Sequence, residues 1–155
     1  MIFRIAEALL TFDSMAHDKL QKLCYFSYAW YLTFFGERLF EQKFEVWEKG
    51  PVCPELFEKY QKYGLKPIPK TRAKLEEIIS EEELREFLKA IFDAYGHLSN
   101  KELIFLACSE DPWLKALQRL EKGLSSVYDD EEIVNWHTRN VLKELNKENI
   151  CLFYI

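Results

Sequence analysis

Apolar residues along this chain recur mainly at the three- and four-residue spacing of amphipathic helices. That spacing runs through residues 2–10, which predicts a short first helix. A second, longer helix is predicted from a cap at Asp13 or Ser14 to a left-handed stop at Gly36. Its segment 23–35 carries no charge but is shorter than the roughly 20 residues needed to cross a membrane. We therefore expect a core helix, the most buried in the protein, with neighbours on several sides.

Short aromatic and β-branched stretches follow this helix. They lie within residues 39–48 and predict a small antiparallel hairpin or two short strands, because such residues favour extended backbone. Gly50 and Pro51 come next, and we interpret them as a turn of fixed shape. The apolar run at residues 150–155 predicts a further strand at the end of the chain.

Helix start and stop residues divide the rest of the chain. Proline suits the first helical position, and Ser or Asp suits the cap before it. With the first two helices, these signals predict about seven helices in a single mainly α domain over residues 1–155, since this length suits one core. The predicted starts are Pro54, a capping box at Ser80 with Glu83, a capping box at Ser99 with Glu102, Asp111 before Pro112, and Asp129 or Asp130.

Charge and composition narrow the class of partner. The net charge is −5, and lysines and arginines alternate with glutamates instead of forming the basic stripe that phosphate binding requires. Nucleic acid is therefore not an expected partner. Aromatic residues make up 15% of the chain, more than a core of this size usually needs, which points to some of them on a surface for a protein partner.

The cysteines and the first residues indicate a cytoplasmic protein. Cys24, Cys53, Cys108 and Cys151 are widely spaced and form no CxxC pair, so we expect reduced thiols and no bound metal. Glu7 stands where a signal peptide would be apolar. Neither secretion nor a membrane partner is expected.

No pattern of catalytic residues stands out. The five glycines are isolated, and neither a phosphate-binding loop, a nucleophile elbow nor an HExxH zinc motif occurs. His97 fits a connection between helices, and His137, which follows Trp136 on an amphipathic helix, is interpreted as a surface or boundary residue. Glu110 and Asp111 resemble paired acids, but a capping role explains Asp111. We expect no enzymatic activity and no cofactor.

Three segments carry a more specific signal together than any one of them alone. They are a lysine-leucine segment at 19–26 with Trp30 and Gly36, a segment from Leu39 to Phe57 that contains Glu45-Val-Trp47 and Gly50-Pro-Val, and a segment from Tyr95 to Trp113 that ends in Glu-Asp-Pro-Trp. In order and spacing they resemble the Panacea antitoxin-domain family, which includes SocA-like and phage-associated GepA-like proteins. The resemblance runs from about residue 5 to about residue 136.

The resemblance implies a protein encoded beside a toxin, which it neutralises by direct binding. The SocA-like branch delivers its toxin to a protease, so a cellular protease is a further expected partner. The alternative function is a proteolytic adaptor, or a phage-encoded factor that binds a host protein. One departure from the family pattern is visible: Ala107 and Cys108 stand where relatives tend to carry threonine and histidine. This departure favours a packing role for the position.

Residues within these segments are candidates for partner contact. Lys22 lies amid an apolar helix, so its amine either reaches outward to solvent or pairs with a carboxylate. Trp47 and Trp113 are interpreted equally well as core or as partner surface. The full set of candidates from the resemblance is Lys22, Trp47, Gly50, Pro51, Tyr60 and Trp113.

Two acidic clusters have two interpretations each. One lies on either side of a helix start, and the other spans residues 129–132. The first consists of Glu76, Glu77, Glu81, Glu82, Glu83 and Glu86. Acidic residues favour helix N-termini, which explains both clusters without a partner. Alternatively, one cluster forms the charged rim of an interface with a basic toxin, with exposed aromatic residues as anchors.

Overall fold

A computed structural model describes the backbone of residues 1–146 and the side chains of residues 1–141. The strand predicted at residues 150–155 lies outside the described residues. The mainly α prediction is confirmed, with eight helices in the described part. They are α1 (Ile2–Leu9), α2 (His17–Phe35), α3 (Pro54–Tyr60), α4 (Leu75–Ile78), α5 (Glu82–Tyr95), α6 (Asn100–Cys108), α7 (Asp111–Glu121) and α8 (Asp130–Asn146), with strands β1 (Glu45–Trp47) and β2 (Gly50–Val52).

Helix α2 is the centre of the fold, as its pattern predicts. Every residue from Leu20 to Trp30 is buried, because α1, α3, α5, α6, α8 and β2 all pack against it. The helix ends at Gly36, whose φ of 69° is the predicted left-handed stop. Its start differs from the prediction, since the helix begins at His17 with Ala16 as its cap and not at Asp13 or Ser14. Asp13 instead accepts a hydrogen bond from the backbone N–H of Ser14, which uses its oxygen locally.

The predicted antiparallel hairpin is present, but its turn lies elsewhere. Strands β1 and β2 pair with Trp47 opposite Gly50, so the turn is at Glu48 and Lys49. Gly50 and Pro51 are therefore strand residues, and the prediction that they form the turn was wrong. The segment at residues 39–40 is buried without forming a strand. Packing of β2 between α2 and α6 overrides the usual preference of glycine and proline for turns.

Some of the predicted helix caps form and others do not. The Ser99 box forms, with the Glu102 N–H donating to Ser99 Oγ at 3.1 Å and the Ser99 N–H donating to the Glu102 side chain at 3.0 Å. The Ser80 box does not form, since α5 begins one residue later with Glu81 at the N-cap position and without a side-chain cap hydrogen bond. The Ser80 carbonyl accepts a hydrogen bond from Arg85. Likewise Glu110, and not Asp111, caps α7.

The connector after α3 contains the eighth helix. A 3-10 turn over Gln61–Tyr63 extends α3, and the short α4 follows, anchored by buried Leu75. The charged residues of α4 hide this apolar contact from pattern analysis. No helix in the described part of the chain is long and apolar enough to span a membrane.

Candidate functional site

A groove of about 220 Å³ lies between the first turns of α2, the hairpin and α3. One side is aromatic, formed by Trp47 and Phe57, whose ring centroids are 5.2 Å apart. The other side is polar and comes from α2. We call this feature the Lys22 groove, and its lining residues are His17, Asp18, Gln21, Lys22, Trp47, Glu48, Lys49, Val52 and Phe57.

Lys22 is the most deeply buried charged residue of the groove, with 1% of its surface exposed. No hydrogen bond or ion pair joins its amine to any residue that the structure describes. Burial lowers the pKa of Lys22, whereas the nearby Asp18 carboxylate acts in the opposite direction. The side chain as a whole is thus enclosed, while its amine lies at the groove and is not paired with a carboxylate among the described residues.

Gly50 allows the Lys22 side chain to lie across β2. A Cβ at this position would sit 3.3 Å from Lys22 Cε and 3.9 Å from both Ala107 Cβ and Cys108 Sγ. The backbone φ of Gly50 is 111°, a conformation that residues with side chains rarely adopt. Backbone geometry thus favours glycine here, and an added methyl group would also require the Lys22 side chain to shift by a few tenths of an ångström. Ala107 and Cys108, the positions that depart from the family pattern, form the α6 side of the same contact.

The two candidate tryptophans have different surroundings. Trp47 is 37% exposed and stands at the edge of the groove, where its Nε1 donates to Glu45 at 3.1 Å. Trp113 is half-buried against the core, and its Nε1 is buried without a hydrogen-bond partner. Trp47 consequently has the ring exposure that an interface anchor needs, and Trp113 is mainly a packing residue.

The remaining candidates lie away from the groove or inside the fold. Pro51 is buried in β2. Tyr60 is buried, and that burial raises its pKa to about 12 with Cys24 and Glu7 nearby. The acidic residues Glu81, Glu82 and Glu83 are exposed at the start of α5.

The Glu81–Glu83 cluster is at the other end of α2 from the groove. Glu81 and Glu83 are close enough to Tyr31 to raise its pKa, after the larger effect of burial. Tyr31 is nine residues beyond Lys22 on α2, which is roughly 13 Å at the helical rise per residue. Glu81 also pairs with Arg4 at 3.6 Å between exposed side chains. The groove and this cluster are separate features.

Sequence comparison with protein families matches residues 20–114 to the antitoxin SocA-like, Panacea domain. The chain belongs to this family. The matched segment contains Lys22, Trp47, Gly50 and the whole hairpin, so most residues that line the groove lie within it. Comparisons with curated proteins and with solved structures returned no match.

This Panacea-domain protein also contains a buried polar cluster that the sequence pattern did not predict. The Tyr25 hydroxyl donates to Glu110 Oε1 at 2.6 Å, and His137 Nε2 lies 3.5 Å from Glu110 Oε2. His137 Nδ1 is 2.8 Å from the Ile133 carbonyl and must donate its proton there. We call Tyr25, Glu110 and His137 the Glu110 cluster. His137 is fully buried, so its interpretation as a surface or boundary residue was wrong.

The Glu110 cluster ties together α2, the start of α7, and α8. Glu110 is 2% exposed and Tyr25 is fully buried, which raises the pKa of Tyr25 well above its ordinary value and keeps its hydroxyl as a donor. His137 packs edge-on to the Trp30 ring, with the ring centroids 4.7 Å apart. These non-covalent contacts hold α2, α7 and α8 together. A tyrosine inside the uncharged run of α2 was the available signal, since a buried hydroxyl needs a partner.

The acidic cluster at residues 129–132 makes contacts within the protein itself. Asp130 accepts hydrogen bonds from Tyr28 and Arg38 at 2.7 and 2.9 Å, and Glu132 is held by both its oxygens to Arg119 at 2.9 Å. In the part of the chain that the structure describes, no group of three or more His, Cys, Asp or Glu residues could hold a metal ion.

Proposed function

We propose that this Panacea-domain protein is a cytoplasmic antitoxin that neutralises a cognate protein toxin by direct binding, without a catalytic step. The observation that carries the proposal is the family match over residues 20–114. The domain is named for antitoxins, and a binding function needs a surface with apolar anchors and polar groups around them.

The surface offers such anchors in two places. The first is the Lys22 groove with Trp47 at its edge. The second is the outer face of α6 and α7, where Phe105 is 72% exposed and Leu114 is 44% exposed. Large apolar side chains exposed in this way support contact with another protein. In this proposal Trp47 is an anchor, and Glu81, Glu82 and Glu83 form a charged rim that attracts a basic toxin.

The test is growth rescue on co-expression with the product of the adjacent gene. We expect the parent protein to restore growth and to co-purify with the toxin in a fixed ratio. Trp47→Ala should weaken both effects, because a truncated anchor commonly costs about 2 kcal/mol or more of binding free energy. Leu65→Ala is the matched control, since Leu65 is 95% exposed and does not line the groove. An adjacent gene product that is harmless and does not bind would contradict the proposal.

The same assay separates occlusion of the toxin from its delivery to a protease. Rescue by occlusion should persist in hosts that lack individual cytoplasmic proteases, with the toxin still present at its normal level. Rescue that disappears in one such host, with the toxin accumulating, would identify the adaptor function instead. Neutralisation by far less than one equivalent of this protein would contradict a stoichiometric mechanism.

A further inference from the structure

The Lys22 amine is a buried cation without a partner at the boundary of a groove. Burying an ammonium group is strongly unfavourable unless a hydrogen-bonded anion compensates for the lost hydration. Lys22 is 1% exposed, and the described residues supply no such anion within ion-pair distance. A core position filled only for stability would more simply hold an apolar side chain. The amine at the groove is therefore available to an anion supplied from outside the isolated protein.

We propose that Lys22 receives the side-chain carboxylate of an aspartate or glutamate on the partner protein, inserted into the groove beside Trp47. This inference rests on the proposed antitoxin function and specifies how the toxin is held. A carboxylate that reaches a buried ammonium forms a short, charge-assisted contact, which is among the stronger polar interactions in an interface.

Asp18 is the obvious competitor for Lys22, because it lies one helical turn earlier. Its carboxylate is used elsewhere: Asn100 Nδ2 donates to it at 3.2 Å, and His17 Nε2 lies 3.6 Å away. These contacts hold Asp18 toward α6 and the start of α2, and no ion pair joins it to Lys22. The cation is thus left available to a group that enters from the groove.

The charges around the groove favour a single carboxylate over a phosphate-rich ligand. Lys22 and Lys49 contribute two positive charges, and Asp18 and Glu48 contribute two negative ones. A polyanion such as nucleic acid would be repelled by both acids and by the net charge of −5. One carboxylate neutralises the buried cation without adding a second charge to be compensated.

The walls of the groove suit the rest of an acidic side chain. Trp47 and Phe57 present aromatic surface to its methylene groups. On the opposite side, the Lys22 stem lies against β2, where its Cε is 3.3 Å from the position that a Gly50 Cβ would take. A cation held in position before binding loses less conformational entropy when the complex forms.

Propionate is a direct probe of this site in the free protein. The Lys22 Cε resonance, assigned by its loss in Lys22→Met, should shift in a saturable way when propionate is added. Propionamide has the same shape without the charge and should leave the resonance unchanged. Equal shifts with both compounds, or no saturable shift with propionate, would overturn the carboxylate site.

The toxin complex provides the second test. Lys22→Met should weaken toxin affinity about 30-fold or more, as expected when one member of a buried charge pair is removed. Lys49→Met is the matched control, because Lys49 lines the same groove but is exposed, and we expect less than about 5-fold. In the Lys22→Met background, one Asp→Asn or Glu→Gln change in the toxin should cause little further loss, since both changes remove the same contact.

Two results would contradict the inference while leaving the proposed function intact. One is parental affinity in Lys22→Met. The other is coupling of Lys22 only to the terminal carboxylate of the toxin, detected by extending the toxin by one residue. Failure of the parent protein to bind the toxin at all would contradict the proposed function, and the propionate titration would then still decide whether the site exists.

Discussion

Two buried charges in this protein, Glu110 and Lys22, have opposite surroundings. Both are at most 2% exposed. The Glu110 carboxylate accepts a hydrogen bond from Tyr25 and faces His137, whereas the Lys22 amine has no hydrogen bond or ion pair among the described residues. A buried charge with partners on other helices fixes the arrangement of those helices, and a buried charge without partners costs stability. Burial alone therefore does not reveal the role of a charged residue; its partners do.

The largest effect should follow from removing the satisfied charge. Glu110→Ala leaves the Tyr25 hydroxyl without its acceptor and takes the carboxylate away from His137, so we expect a loss of about 3–5 kcal/mol in the free energy of unfolding. Urea denaturation measures this loss. Asp111→Asn is the control, because Asp111 pairs with Arg139 between exposed side chains and should cost less than about 1 kcal/mol. Equal losses in the two variants would show that the Glu110 cluster is not a structural link.

A smaller loss of stability is expected when the contact between the hairpin and Lys22 is disturbed. Gly50→Ala should lower the free energy of unfolding by about 1–3 kcal/mol, since φ is 111° and the new methyl group meets the lysine side chain. Gly36→Ala is a matched control with φ of 69° and no atom within 4 Å, so it reports backbone strain alone. A smaller loss in Gly50→Ala than in Gly36→Ala would mean that the hairpin yields easily at this point.

Removing the unsatisfied charge should have the opposite sign. Lys22→Met is expected to raise the free energy of unfolding at pH 7 by about 1 kcal/mol, because the buried ammonium is replaced by an apolar side chain of similar length. Thermal denaturation with parallel toxin-binding measurements checks whether stability rises while affinity falls. A destabilised variant would indicate that Lys22 has a structural partner after all.

The stability difference between Lys22→Met and the parent protein should depend on pH. Burial lowers the pKa of Lys22 in the folded protein below its ordinary value of 10.5, so the unfolded chain binds more protons between the two values. The contribution of Lys22 to stability therefore becomes more favourable as pH rises through that window. The difference between Lys22→Met and the parent should shrink as pH approaches 10.5. Burial also raises the pKa of tyrosines such as Tyr25 and Tyr60, but their effect on stability is the same in both proteins and cancels in the difference.

The smallest effect on stability is expected for the exposed acidic cluster. Changing Glu81, Glu82 and Glu83 together to lysine should alter the free energy of unfolding by less than about 1 kcal/mol. The association rate with a basic toxin should fall about 10-fold at low ionic strength and recover at high salt. Stopped-flow binding at two salt concentrations makes the comparison. Unchanged rates at low salt would leave these residues as favourable charges at a helix N-terminus and nothing more.

Local signals predicted the elements whose causes are local. The central helix, its stop at Gly36 and the capping box at Ser99 all depend on residues within a few positions of one another. The hairpin was also predicted, although its turn moved to residues 48–49, because packing against two helices decided the conformation of Gly50 and Pro51. Residues next to Gly50 and Pro51 in sequence do not indicate which distant helices pack against them.

The polar clusters were harder to predict for the same reason. Tyr25 and Glu110 are 85 residues apart in sequence, and only the packing of α2 and α7 brings them together. Lys22 was identified as unusual from its apolar neighbours. Its burial without a partner depends on the packing of β2 and α6 near its side chain. The sequence pattern of α2 alone does not contain this information.

The edges of the hairpin limit how a partner can approach the protein. Along β1, the Val46 N–H donates to the Ser126 carbonyl at 2.8 Å and the Tyr128 N–H donates to the Phe44 carbonyl at 2.9 Å, so this edge is already occupied. Pro51 lies opposite Val46 on β2, where its nitrogen faces away from β1 and carries no proton to donate. Neither edge can readily accept an added strand from another chain. A partner that binds at the hairpin must therefore contact side chains and not the strand backbone. Substitution of those side chains can change the specificity of binding without altering the main chain.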